Sequence, residues 1–148
     1  MNKVLFGYYI GQDIQLDIIH KHLINTSGRT KPGKRVRIPL RDTKLRLLMF
    51  LLANGNKGVI TTQRIMVNVW DKYGLRSSAP RLWQVMQDLK LTLSIMGIED
   101  DFISRVDNKG YQVNMDIVTT LYCESRLQDQ YQKDALAEQD IIALPHSA

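Results

Sequence analysis

The chain has 148 residues, the usual size of one domain with its own core. Its hydrophobic share of 44% and charged share of 24% are those of a globular protein and exclude collagen-like and wholly disordered classes. Lys and Arg (20) outnumber Asp and Glu (15), and a single cysteine excludes a disulfide framework and a multi-cysteine zinc site.

The charge is divided unevenly along the chain. Residues 1–113 contain 18 basic and 9 acidic side chains, a difference of +9, whereas residues 114–148 contain 2 and 6, a difference of −4. A basic body of this kind is typical of a protein with a polyanionic partner. The longest wholly apolar run, Leu47–Ala53, is far shorter than the roughly 20 residues that span a bilayer. We therefore expect a cytoplasmic protein without a membrane segment.

The first forty residues predict an antiparallel sheet. Four short segments rich in apolar or β-branched residues are separated by turn residues: Val4–Ile10, Ile14–Ile18, His22–Asn25 and Val36–Leu40. Pro39 in the last segment indicates an edge strand or a strand end.

The hydrophobic spacing then becomes helical. A first helix is predicted to begin with Asp42 or Thr43 as its N-cap and to end at Asn54–Gly55. A second begins after Thr61 and ends before Gly74. The longest begins near Ser78 and ends at Gly97. Its predicted core stripe has spacings of 4, 3, 4 and 3 and consists of Leu82, Met86, Leu89, Leu93 and Met96.

A β-hairpin is predicted after the third helix, from Phe102–Val106 and Tyr111–Val113 around a turn at Asp107–Gly110. The resulting fold class is α+β. We assign residues 1–113 to one folded domain and residues 114–148 to an acidic tail, partly helical or disordered.

Two shorter helices, a longer third and a hairpin form the plan of a winged helix-turn-helix. An ordered series of residues follows this plan: Leu40, Thr43, Leu45, Leu47, Leu48, Val59, Ile60, Thr61, Val69, Trp70, Leu89, Lys90, Leu93, Ile103, Val106, Gly110 and Tyr111. Through them the chain resembles the OmpR/PhoB-type winged-helix DNA-binding domain over about residues 8–113. With no receiver domain, it is most similar to the ToxR/CadC-like branch.

The resemblance implies that the third helix lies in the major groove of duplex DNA. Helical periodicity independently places Pro80, Gln84, Gln87 and Leu91 opposite the core stripe. We expect base contacts from Arg81, Gln84 and Gln87, because Arg pairs with guanine and Gln with adenine. Further candidates flank this face: Trp83, Asp88 and Lys90. The alternative is an ordinary solvated helix face.

In the hairpin, Arg105, Asn108 and Lys109 are candidates for contacts to phosphates or the minor groove. Relatives often have basic residues directly before the glycine, whereas this chain has Asp107 and Asn108 before Lys109, so we expect a wing with either a lower affinity or a different contact. The alternative is a hairpin that only closes the sheet.

Between the second and third helices, the residues Lys72, Tyr73 and Arg76 match a loop that contacts RNA polymerase in some relatives. The resemblance makes such a contact one hypothesis here.

Other features point to no chemistry. The basic cluster of Arg29, Lys31, Lys34, Arg35 and Arg37 is either a solvated loop or an auxiliary phosphate contact. His20 and His22 are two potential metal ligands without a matching third. No phosphate-binding glycine loop or nucleophile elbow is present. We therefore expect no enzyme, no metal and no cofactor.

The sequence predicts a transcriptional regulator that binds double-stranded DNA, with a homodimer as a further expectation because operators are commonly paired half-sites. The alternative is a winged-helix module that binds another regulator instead of DNA.

Overall fold

The computed structural model describes residues 3–27 and 37–124. Five antiparallel strands form the first sheet: β1 (Lys3–Ile10), β2 (Ile14–Asp17), β3 (His22–Asn25), β4 (Arg37–Pro39) and β8 (Val118–Glu124). Their spatial order is β4-β3-β2-β1-β8. The predicted N-terminal sheet is confirmed, and the three-residue β4, which contains Pro39, lies at its edge as expected.

Strand β8 corrects the predicted extent of the folded part. We placed the end of the domain at Val113, but β8 pairs with β1 along its whole length, from Ile10 opposite Val118 to Lys3 opposite Glu124. Residues 118–124 therefore belong to the first sheet and not to a helical or disordered tail. The remainder of the predicted tail, 125–148, lies outside the described residues, as do Arg29, Lys31, Lys34 and Arg35 of the basic cluster.

Three helices follow the first four strands: α1 (Asp42–Asn54), α2 (Thr62–Val69) and α3 (Ala79–Ile95). Thr61 caps α2, since its hydroxyl accepts a hydrogen bond from the backbone N–H of Arg64 at 3.2 Å. The predicted cap of α1 is wrong: Asp42 is the first residue of the helix, and Arg41, which precedes it, makes no side-chain cap bond. At this end of α1, the backbone N–H groups of Lys44 and Leu45 donate to the Arg41 carbonyl at 3.1 and 3.5 Å.

Both ends of α3 match the prediction. The Ser78 hydroxyl accepts from the Arg81 N–H at 3.2 Å, and Pro80 occupies the first turn, where no N–H is needed. Gly97 has φ +101, and the N–H groups of Gly97 and Ile98 donate to Ser94 O and Leu93 O. This double hydrogen-bond pattern ends a helix with a left-handed residue, and glycine adopts that conformation without strain.

A second sheet combines the hairpin with a short strand that precedes α2. Its order is β5 (Ile60–Thr61), β7 (Gly110–Val113) and β6 (Ile103–Val106). The hairpin is confirmed, whereas the two-residue β5 was not predicted. Gly110 is required where β7 meets β5, because a Cβ atom there would collide with the carbonyl oxygen of Ile60.

One hydrophobic core joins the layers. It contains Leu16 and Leu23 of the first sheet, Leu48 of α1, Leu89 of α3 and Phe102 before the hairpin, each no more than 1% exposed. Within residues 3–27 and 37–124, no helix has the length and hydrophobicity needed to cross a membrane.

Candidate nucleic-acid interface

The outward face of α3 is made of polar side chains at its N-terminal half. Leu82, Met86, Leu89 and Leu93 are buried, as the apolar spacing predicts. Arg81, Gln84 and Gln87 are exposed. The three residues expected to contact bases therefore project from the solvent side of one rigid helix.

The residues that flank this face of α3 differ in their exposure. Asp88 is exposed and Lys90 is half-buried, while Trp83 is 53% exposed. The face continues toward the C-terminus with two apolar side chains, Leu91 and Ile95, of which Leu91 was placed opposite the core and Ile95 was not anticipated. The face combines hydrogen-bonding and apolar groups.

Helix α3 is tied to α1 by a polar contact inside the core. The Thr92 side chain, 8% exposed, donates its hydroxyl to Asp88 O at 3.0 Å and accepts from Lys44 Nζ at 3.3 Å. The contact satisfies a buried hydroxyl that would otherwise cost free energy. Lys44 thereby adds a polar link between α1 and α3 beside the buried apolar stripe that orients α3.

A second cation on α1, Arg46, holds the segment that leads into α3. Its Nε donates to the carbonyl of Val69 at 3.1 Å, at the end of α2, and its Nη2 donates to Thr43 Oγ1 at 3.2 Å. The guanidinium carbon lies 4.4 Å from the centre of the Tyr73 ring, within the range of a cation–π contact. Arg46 therefore joins α1, α2 and the following loop.

The loop between α2 and α3 is exposed, including Lys72, Tyr73 and Arg76. It begins as a 3₁₀ turn at Asp71–Tyr73 and changes direction at Gly74, which has φ +70. The Tyr73 ring is 59% exposed on the side away from Arg46. Lys72 and Tyr73 line a cleft of about 310 Å³ with Arg46, Met49, Phe50 and Asn68, whereas Arg76 does not.

The wing is short and attached to the start of α2. Arg105, Asn108 and Lys109 are all exposed, and Asn108 has φ +60, a conformation that asparagine tolerates better than most residues. The Thr62 N–H donates to the carbonyl of Lys109 at 3.2 Å. The wing turn therefore moves with the N-terminus of α2, while the three predicted side chains face solvent.

The Lys and Arg side chains in residues 3–27 and 37–124 lack acidic partners. Among the residues that the structure describes, no Lys or Arg forms an ion pair with Asp or Glu. Arg64, which the sequence reasoning did not single out, is exposed at the first turn of α2, bonds Asn54 Oδ1 at 3.1 Å and lies 5.8 Å from the Phe50 ring. These cations are available to an anionic partner.

His20 and His22 are used by the first sheet. The His20 Nδ1 lies 2.7 Å from Asp17 Oδ2, and the His20 N–H donates to Asp17 Oδ1 at 3.1 Å. Burial lowers the pKa of His22, as do the neighbouring Arg37 and His20, while Asp17 acts in the opposite direction. In the described ranges no three His, Cys, Asp or Glu side chains are grouped to hold a metal ion.

Neither a family model nor a curated protein sequence matches the chain. The structure is nevertheless similar to that of the DNA-binding domain of E. coli CadC, with a TM-score of 0.59 and 16% sequence identity. The match covers 81% of this chain and 100% of the CadC chain. It includes the N-terminal antiparallel sheet, the three helices and the C-terminal hairpin. The chain thus has the fold of the CadC DNA-binding domain, a winged helix-turn-helix with an N-terminal antiparallel sheet.

Proposed function

We propose that the protein is a transcriptional regulator that binds specific double-stranded DNA sequences, with α3 in the major groove and the wing on the neighbouring backbone or minor groove. The observation that carries this proposal is the α3 face, where Arg81, Gln84 and Gln87 are exposed on a helix whose opposite side is locked into the core. A helix fits the major groove, and these side chains have the hydrogen-bonding groups that distinguish guanine and adenine.

Phosphate contacts supply the affinity in this proposal. The candidates are Arg105 and Lys109 of the wing, with Asn108 beside them, and Lys90 of α3. Because contacts between cations and phosphates release counterions, the three cations among these candidates make affinity fall by about 40-fold between roughly 50 and 200 mM salt. Trp83 and Asp88 are secondary candidates for base contacts, Asp88 because a carboxylate accepts from the amino group of cytosine.

The test is a gel-shift titration at several salt concentrations, with a duplex selected by the protein from random DNA. The double variant Arg81→Ala/Gln84→Ala is expected to lose preference for the selected site while keeping salt-dependent binding to any duplex. Lys3→Ala, which removes one charge from the exposed end of β1, is the matched control and keeps the preference. If the double variant retains full preference, α3 is not the reading element.

The alternative function is a winged-helix module that binds another regulator. The observation that favours it is the apolar part of the α3 face, where Trp83, Leu91 and Ile95 are exposed. Failure to bind any duplex at low salt would support this alternative over DNA recognition.

Two further partners extend the proposal. The exposed loop that contains Lys72, Tyr73 and Arg76 is proposed to contact RNA polymerase. Lys72→Ala and Arg76→Ala would then lower promoter activation and leave DNA affinity unchanged, whereas equal losses of both would contradict the contact.

A homodimer on paired half-sites is proposed as the bound form, and the stoichiometry on DNA with one or two half-sites tests it.

A further inference from the structure

A column of three side chains runs along the outward face of α3. Leu91 follows Gln87 by one helical turn and Gln84 by two, so the three lie nearly in line. Leu91 is 62% exposed, the largest fraction recorded for a large hydrophobic side chain in the described ranges. Trp83, 53% exposed, lies at one side of the column, and Ile95, 46% exposed, follows Leu91 by one further turn. An apolar group thus continues a row of hydrogen-bonding groups.

We propose that Leu91 contacts the 5-methyl group of a thymine in the major groove, an inference that rests on the DNA-binding function proposed above. The thymine methyl is the apolar group on the base edges of that groove. Glutamine pairs with adenine, the partner of thymine, so a column with two glutamines and one leucine is chemically matched to A·T pairs.

The spacing along α3 agrees with the spacing of bases. Gln87 and Leu91 are separated by about 6 Å along the helix axis, at 1.5 Å per residue. This is nearly two base-pair steps of about 3.4 Å. Long side chains on a helix lean toward its N-terminus, so the Leu91 methyl groups lie toward the half of α3 that carries the glutamines. One groove segment can therefore meet all three side chains.

The surroundings of Leu91 favour DNA over an apolar protein groove as the occupant. Lys90 is adjacent in sequence and is not ion-paired, and Arg81 is exposed nearly three turns before Leu91. In a complex with DNA these charged groups have hydrogen-bond partners, because phosphates and base edges accept hydrogen bonds. An apolar protein groove would bury them without partners, at a cost in free energy.

The experiment removes the methyl group from the DNA and the side chain from the protein. A duplex selected by the full chain from random DNA is prepared with each thymine replaced in turn by deoxyuridine, which lacks only the methyl group. Affinities are measured for the wild type, for Leu91→Ala, and for Leu75→Ala as a control. Leu75 is 44% exposed in the loop before α3, outside the column.

Deoxyuridine is expected to weaken wild-type binding at only one thymine, or at two adjacent thymines. Each such replacement lowers the affinity by about fourfold, the effect of roughly one buried methyl group. Leu91→Ala binds the thymine site correspondingly more weakly and no longer distinguishes thymine from deoxyuridine at that position. Leu75→Ala behaves as the wild type.

Two results would overturn the inference and leave the proposed function standing: tight, site-specific binding that is indifferent to deoxyuridine everywhere, or a deoxyuridine effect that persists undiminished in Leu91→Ala. A wild type that selects and binds no duplex overturns the proposed function, and the inference with it.

Discussion

At the scale of single residues, the loop that leads into α3 depends on one cation of α1. Arg46 makes three separate contacts, to the Val69 carbonyl, the Thr43 hydroxyl and the Tyr73 ring. The Thr43 contact is local to α1, but the other two form only when α2 and the following loop pack against α1, so helical spacing within α1 could not predict them. The sequence predicted the exposed residues of the loop but not the residue that holds it.

We expect Arg46→Met to destabilise the protein by about 2 kcal/mol, because the variant keeps the aliphatic stem and loses two hydrogen bonds and a cation–π contact. Urea unfolding measures the change. In a double-mutant cycle with Tyr73→Leu, the ring contact should appear as a coupling free energy of about 0.5–1 kcal/mol. Additive effects of the two changes would show that the ring contact contributes nothing.

His22 makes stability depend on pH. Burial, together with Arg37 and His20, lowers its pKa below the ordinary value of 6.5, and its Nδ1 is buried without a hydrogen-bond partner. As the pH falls through about 6.5, the unfolded chain binds a proton that the folded chain disfavours, so stability falls. The loss becomes constant once the pH is below the folded-state pKa.

His22→Gln removes this titration. Its melting temperature is therefore expected to fall less than that of the wild type between about pH 7.5 and about pH 5.5. Thermal unfolding followed by circular dichroism at both pH values provides the comparison. Equal decreases for the two proteins would show that other groups carry the acid sensitivity.

At the scale of elements, the helices were the most predictable part. The 4, 3, 4 spacing of Leu82, Met86, Leu89 and Leu93 defines the buried side of α3 by itself, and the structure confirms it. Thr92 is buried beside that stripe, yet no apolar spacing identifies a threonine. The exposure of the α3 candidate residues followed from the same geometry, but their contacts to DNA stay a prediction.

The link between wing and α2 depends on one glycine. Gly110→Ala is expected to destabilise the protein by about 2–4 kcal/mol, because its Cβ would collide with the Ile60 carbonyl and separate β7 from β5. Chemical denaturation measures the loss. Gln112→Ala, at an exposed position of the same strand, is the control and should change stability by less than about 0.5 kcal/mol. A tolerated Gly110→Ala would mean that the two strands separate without cost.

At the scale of the whole molecule, β8 was the largest element missed. Its β-branched Val118, Thr119 and Thr120, followed by Tyr122, are typical of a strand. The partner strand β1, however, precedes it by more than one hundred residues. Local sequence patterns carry no information on such a distant pairing. The pairing of β8 with β1 also affects Tyr8: burial and the nearby Tyr122 raise the pKa of Tyr8.

Because the first sheet extends to Glu124, a truncation that tests the acidic residues beyond it must end at Glu124 and not at Val113. A variant ending at Val113 loses β8 and is expected to be less stable by at least about 2 kcal/mol, because β1 loses one of its two hydrogen-bonded neighbours and becomes an edge strand. A variant ending at Glu124 should unfold at the same urea concentration as the full chain. Only this second variant tests whether the acidic residues after Glu124 compete with DNA for the basic surface without also damaging the fold. Equal stability of all three proteins would mean that β8 contributes nothing.

The pairing of Lys3 with Glu124 has a mechanical consequence. A force that pulls Lys3 and Glu124 apart acts on these adjacent strand ends. It breaks the hydrogen bonds between β1 and β8 one pair after another, so a small force suffices to begin the separation. The helices are not in the path of that force until the two strands have separated. Tension at the ends therefore peels β8 away first, while the helical layer that presents α3 is spared.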